Sequence, residues 1–294
     1  MRVEERVIPA RDGFRLAATV FGEQASGTDT VVVAPATGAP RGFYGAFARF
    51  LADAGYTVVS FDYRGIAGSA PLTLRGFSAT MRDWGEQDLA GVLDWTRTTL
   101  RPRRLLLVGN SVGGQLLGIT PGAETLDAAL LVAAQNGYWG RWPPRYKPRM
   151  LAFWYLLQPL TTTTLGYLPG WTYGGKHLPA GVAWDWARWC RHPEYICRLG
   201  AHVCEGFARL RYPVRFYSFT DDLFAPAGTV EALMRYFTAA RAEHVRLRPA
   251  DVDAARVGHF GFFRPAVQNT LWRDALAWLE APDGAGTAVA HAPV

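Results

Sequence analysis

The chain has 294 residues, 49% hydrophobic and 19% charged, which suffices for one large buried core and excludes a disordered polymer. Its net charge of +6 comes from arginine scattered among apolar segments rather than massed in a block, so a solvated basic surface is expected and a nucleic-acid partner is not. The longest unbroken apolar run, residues 151–157, falls well short of the ~18 that a membrane span needs, and no stable membrane insertion is expected.

In chain order, residues 3–8 and 14–21 are strand candidates joined by Ala10-Arg11-Asp12-Gly13, whose Asp-Gly pair is a strong hairpin signal. Residues 30–34 form a β-branched run stopped by Pro35 and followed by the turn-rich Ala36-Thr37-Gly38-Ala39-Pro40. Phe43, Phe47, Phe50 and Leu51 then have helical spacing, with Gly55 behind the end of their helix. Residues 57–61 are a further apolar strand leading into Asp62-Tyr63-Arg64-Gly65, and residues 81–100 carry a helical period that ends before Pro102. Runs at 105–108, 128–134, 214–219 and 245–247 complete eight strand candidates. An opening hairpin followed by alternating strands and helices predicts an α/β protein with a mostly parallel, eight-stranded sheet flanked by helices on both faces. Ligand chemistry in such sheets sits beyond the carboxyl ends of the strands.

The segment 136–206 breaks this rhythm. It holds seven of the eleven tryptophans and six of the twelve tyrosines, with several prolines, and reads as a helical cap inserted over the strand ends. Residues 1–135 and 207–280 are then the core, and the Ala/Gly/Pro-rich stretch 281–294 reads as a disordered tail.

The chemistry centres on residues 105–114. After the apolar run comes Gly109-Asn110-Ser111-Val112-Gly113, a G-x-S-x-G pattern, and then a small-residue helix opening. A serine at the tip of a sharp strand-to-helix turn needs tiny neighbours two residues away on each side, because strand and helix pass close there. The helix start adds free N–H groups and a positive dipole end beside the hydroxyl, suited to a developing oxyanion. Such a nucleophile needs a base, and an acid to orient it. Of six histidines, His177, His192 and His202 fall in the insertion, His291 in the tail, and His244 just before a strand at the wrong end of the sheet. His259 remains, in a loop after the last strand. The acid belongs to the loop after 214–219, where Asp221 and Asp222 stand; Asp222 is favoured, with Asp221 structural.

The order Ser111…Asp222…His259, with the elbow after a central strand, resembles the α/β-hydrolase superfamily, and within it the lidded bacterial serine hydrolases and esterases. The resemblance rests on Ala34-Pro35-Ala36-Thr37-Gly38, on Asp62-Tyr63-Arg64-Gly65-x-x-Gly68-Ser69, on the elbow, on Asp221-Asp222-x-x-x-Pro226 and on Gly258-His259-Phe260, and it covers nearly the whole core. It implies a three-layer fold, a Ser-His-Asp triad, and an oxyanion hole made by the amides of Val112 and of the early loop, placed at Thr37. The acid of such enzymes typically stands four residues before a proline, which supports Asp222. Two departures are Asn110, where this group often has histidine, and Ala36-Thr37 in place of His-Gly. Asp62 is expected to orient a loop.

Serine at the elbow argues for acyl transfer through an acyl-enzyme. The expected activity is ester hydrolysis of a small to medium hydrophobic acyl substrate, with no metal or organic cofactor; the same triad serves thioesterases, lactonases, peptidases and acyltransferases. A catalytically silent ligand-binding scaffold is the alternative from another class. Tyr138, Trp139 and Trp142 are the candidate pocket residues. Cys190, Cys197 and Cys204 lack a C-x-x-C pair, and no signal-peptide pattern opens the chain, so free thiols in a reducing cytoplasm are expected. The basic residues Arg141, Arg145, Lys147 and Arg149, interleaved with Trp142 and Tyr146, are read as a solvated loop of the cap rather than a membrane-resting surface.

Overall fold

A computed structural model describes residues 1–282. The Asp12-Gly13 turn closes a hairpin of β1 (Val3–Pro9) and β2 (Arg15–Phe21), with Gly13 at φ 85° and the Asp12 carboxylate accepting from the Phe14 amide at 3.2 Å. Six further strands follow in the main sheet: β3 (Thr30–Ala34), β4 (Thr57–Phe61), β5 (Leu105–Asn110), β6 (Ala128–Val132), β9 (Pro213–Phe219) and β10 (Arg241–Leu247). The two-residue strands β7 (Tyr167–Leu168) and β8 (Leu178–Pro179) pair separately inside the insertion. The sheet order is β1-β2-β4-β3-β5-β6-β9-β10. All pairings from β4 to β10 are parallel, while β2 is antiparallel to both of its neighbours.

This is the eight-stranded, helix-flanked sheet expected from the alternation of elements. Its middle strands are apolar on both faces because helices cover both sides. Val31–Val33, Leu106–Val108 and Leu130–Val132 are all fully buried. Each such side chain contributes about 1.5–3 kcal/mol relative to an exposed one. The strand β5 that carries the serine loop therefore sits in the fully buried middle of the sheet.

Two expectations are corrected. The last strand begins at Arg241 rather than Val245, so His244 lies within β10, where its Nε2 is 2.7 Å from Ser218 Oγ of β9. As an edge strand, β10 alternates polar exposed residues with inward ones and lacks the continuous apolar run that marks its neighbours. Cys197 and Cys204, expected as free thiols, form a disulfide with Cα atoms 5.4 Å apart; Gly200, at φ 135°, turns the chain back between them. Cys190 is a buried free thiol.

The insertion carries a helical stretch over 147–165, the helix Ala180–Cys190 and the helix Ala201–Ala208. The expected boundary at 206 falls inside this last helix, which packs on the turn Leu116–Ile119 behind the serine loop. There Gly206 passes so close to Gly118 that a β-carbon on it would lie 1.8 Å from the Gly118 carbonyl oxygen. The insertion touches loops at the carboxyl ends of β3 and β9: the Lys176 amide donates to Gly38 O at 2.9 Å, and the Trp142 indole donates to Leu223 O at 2.9 Å. The tail expected over 281–294 lies, from residue 283 onward, outside the described residues.

Candidate active site

Ser111 stands between β5 and the short helix Val112–Gln115, at φ 51° and ψ −113°, a backbone conformation that side-chain-bearing residues rarely adopt. The turn is possible because its flanks lack side chains. A β-carbon on Gly113 would lie 2.2 Å from Ala34 O of β3, and one on Gly109 would lie 2.8 Å from the Gly114 nitrogen. Val112 opens the helix, so its amide has no acceptor within that helix.

His259 and Asp222 meet at 2.8 Å, Nδ1 to Oδ2, and both side chains are buried. The other Asp222 oxygen accepts from the amides of Phe224 (2.7 Å) and Ala225 (3.1 Å). A carboxylate held this way fixes the imidazole with its Nδ1 proton toward Asp222, leaving Nε2 as acceptor. Asp221 takes a separate part: its two oxygens accept from the amides of Val257 and Gly258, each at 3.0 Å, and so hold the backbone of the histidine loop. Phe260 meets the imidazole edge-on at 5.0 Å, with Phe224 at 5.3 Å.

Asn110, in the place where the superfamily often has histidine, is fully buried and connects two loops. Its amide donates to Val132 O at 3.1 Å, and its carbonyl accepts from the Tyr44 hydroxyl at 3.0 Å. That hydroxyl in turn accepts from the Ala36 amide at 2.8 Å, tying the loop after β3 to the strand that carries Ser111. Burial pushes the Tyr44 phenol well above its ordinary pKa, so it remains a neutral donor. Asp62 orients a loop, accepting from the Arg41 backbone (2.6 Å) and guanidinium and from the Gly68 amide (3.0 Å). Arg64, the other charged residue of that motif, is clamped between Asp88 and Asp12 and lies over the Phe14 ring. Burial of Asp88 raises its pKa to about 6 despite the arginine beside it.

Ser111, Thr37 and His259 line one narrow chamber of about 50 Å³, together with Gln115, Gln135, Tyr173, Trp186 and Phe224. Four of these walls, Gln135, Tyr173, Trp186 and Phe224, also border a second cavity of about 400 Å³ beneath the insertion. Trp142 lines that cavity, with Phe153, Trp154 and Trp171. Tyr138 and Trp139 line neither chamber and pack against each other instead. Tyr173, Trp186 and Phe224, which the sequence did not single out, line the serine chamber. Phe224 is two residues past Asp222, and that proximity was its one available signal.

An eight-stranded, mostly parallel sheet with a strained serine turn at the end of its fifth strand defines an α/β hydrolase. Residues 31–269 match the model of the Alpha/beta hydrolase family, and the chain belongs to that family. No curated protein sequence matches it significantly. Among solved structures it resembles the esterase Pf2001 of Pyrococcus furiosus, at 13% identity and TM-score 0.59, over 95% of this chain and 92% of that one. A thermophilic esterase from Thermogutta terrifontis aligns at 17% identity and TM-score 0.58, over 94% and 98% of the two chains. DcsB, solved with its substrate analogue, aligns at 13% identity and TM-score 0.65, over 96% and 100%.

Proposed function

We propose that this hydrolase is a serine esterase that cleaves the ester, or a related acyl bond, of a hydrophobic substrate. The observation that carries the reading is the 2.8 Å contact of His259 with Asp222 on one side of a chamber that Ser111 also lines. In this reading Ser111 Oγ attacks the substrate carbonyl while His259 Nε2 takes its proton. Asp222 holds the ring and stabilises the imidazolium, and the Val112 and Thr37 amides receive the oxyanion. Collapse of the tetrahedral intermediate releases the alcohol, protonated by His259. Water activated by the same ring then frees the acid and restores Ser111.

The two cavities support the substrate class. Next to the serine there is room for little beyond the reacting carbonyl, whereas the aromatic cavity beyond Tyr173 and Trp186 takes a bulky apolar substituent. Labelling by a fluorophosphonate tests the nucleophile: the wild type is expected to become covalently modified and Ser111→Ala to stay unmodified. Equal labelling of both, or none of the wild type, refutes the assignment and favours the silent binding scaffold. A series of p-nitrophenyl esters tests the pocket. kcat/KM is expected to rise from acetate toward longer acyl chains and to fall for the long chains in Trp186→Ala. A flat series unaffected by that change contradicts the pocket.

A further inference from the structure

We infer that the outward face of the helical stretch 147–165, together with the exposed rim of the large cavity, is a docking surface for an anionic lipid bilayer. A solvated cap helix would carry charge on its outer side. Beyond its first turn this one does not: no charged residue occurs between Arg149 and Lys176. The exposed positions of the stretch include Leu151, Tyr155, Leu156 (65% exposed) and Leu160 (56%). Single exposed apolar side chains need no explanation, but a run of them along one helix does.

The run also adjoins the cavity. Arg149, Met150 and Phe153 from the same stretch line it, and its exposed lining includes Trp171 (72%), Leu223 (52%) and Phe224 (44%). An apolar molecule leaving a bilayer at this face would enter the cavity without crossing water.

Charge selects the occupant. Between Asp127 and Asp185 the chain contains no acidic residue, and this segment holds Arg141, Arg145, Lys147, Arg149 and Lys176. Arg145, Lys147 and Arg149 lie immediately ahead of the exposed leucines, and none of the three forms an ion pair with a carboxylate among the described residues. Basic residues beside an apolar helix face suit the headgroup boundary of an anionic membrane. A second copy of this chain fits worse, because a two-fold contact would set the basic residues of this stretch against themselves. Among the described residues no helix is long and apolar enough to cross a membrane, which leaves adsorption at the surface as the geometry.

The inference concerns where the molecule works and does not depend on its chemistry, so binding is measured on both the wild type and Ser111→Ala. Co-sedimentation with phosphatidylglycerol vesicles is compared with phosphatidylcholine vesicles. Both proteins are expected to partition about tenfold or more in favour of phosphatidylglycerol, with the preference lost at high salt. Leu156→Glu/Leu160→Glu is expected to lower partitioning about tenfold or more, and Arg145→Glu/Lys147→Glu to abolish the preference for the anionic lipid. Each variant is checked by its cooperative thermal transition, and a pair that fails to fold leaves the other pair to decide. Absence of wild-type binding overturns the proposal, as does equal binding by the folded variants. A wild-type dimer that Leu156→Glu/Leu160→Glu converts to monomer overturns it too, by assigning the face to a second copy.

Discussion

Adjacent aspartates with the same side chain do different work here, because the strand ahead of them delivers one to the imidazole and the other to a backbone. Asp222 bonds the ring at 2.8 Å, and Asp221 bonds two amides of the loop that carries it. Asp222→Asn is expected to cut kcat roughly 10³–10⁴-fold by favouring the wrong tautomer. Asp221→Asn, which keeps one acceptor oxygen, is expected to lower thermal stability and to change kcat far less. Equal kcat losses in the two variants would reject this division. The contact of Asp222 with His259 agrees with the spacing to Pro226 that the family resemblance implies. The task of Asp221 was not legible, because it depends on the return of residues 257–258 from the far side of β10. Asn110 was legible as a departure from the family pattern, but its pairing with Tyr44 was not, since 66 residues separate the two.

Among the elements, the strands that could be read are those whose burial is two-sided, because a continuous apolar run survives in the sequence. The hairpin was readable from Asp12-Gly13. The edge strand β10 was read short, and the Cys197–Cys204 pair was missed because a turn at Gly200 makes it. One contact between elements sets an acid-sensitive term in stability. Asp29, just before β3, is held by the guanidinium of Arg103 at 2.8–2.9 Å and by that of Arg104 at 2.6–2.9 Å, both just before β5. Their hydrogen bonds, Arg103 first, depress its pKa from 3.8 to about 2. A depressed carboxylate stabilises the fold above its unfolded pKa, and that contribution disappears as pH falls from 3.8 toward 2. Asp29→Asn is expected to cost about 1–2 kcal/mol at neutral pH, less than the full linkage because Arg103 is largely exposed. Urea unfolding from about pH 6 to about pH 3 is expected to show the gap to the wild type narrowing. A gap independent of pH would mean that the pair does not couple to folding.

At the scale of the molecule, the parallel order β3-β5-β6-β9-β10 gathers the loops bearing Thr37, Ser111, Asp222 and His259 at one edge of the sheet. That gathering follows from element order and was legible. The insertion was legible only as composition. Its aromatic density set the segment apart, but Tyr173 and Trp186 reach the serine chamber through tertiary packing that no local pattern encodes, while Tyr138 and Trp139 turn to each other.

The crossing of Gly118 and Gly206 has a mechanical meaning. The insertion's return leg is braced on the segment behind Ser111 at that crossing, and by the Tyr195 hydroxyl donating to Gln115 Oε1 at 2.6 Å. Cys197–Cys204 splints the same leg. Cover and nucleophile therefore share a doorpost. The insertion's other leg is tied to the core by a hydrogen bond instead, from the Trp142 indole to Leu223 O at 2.9 Å.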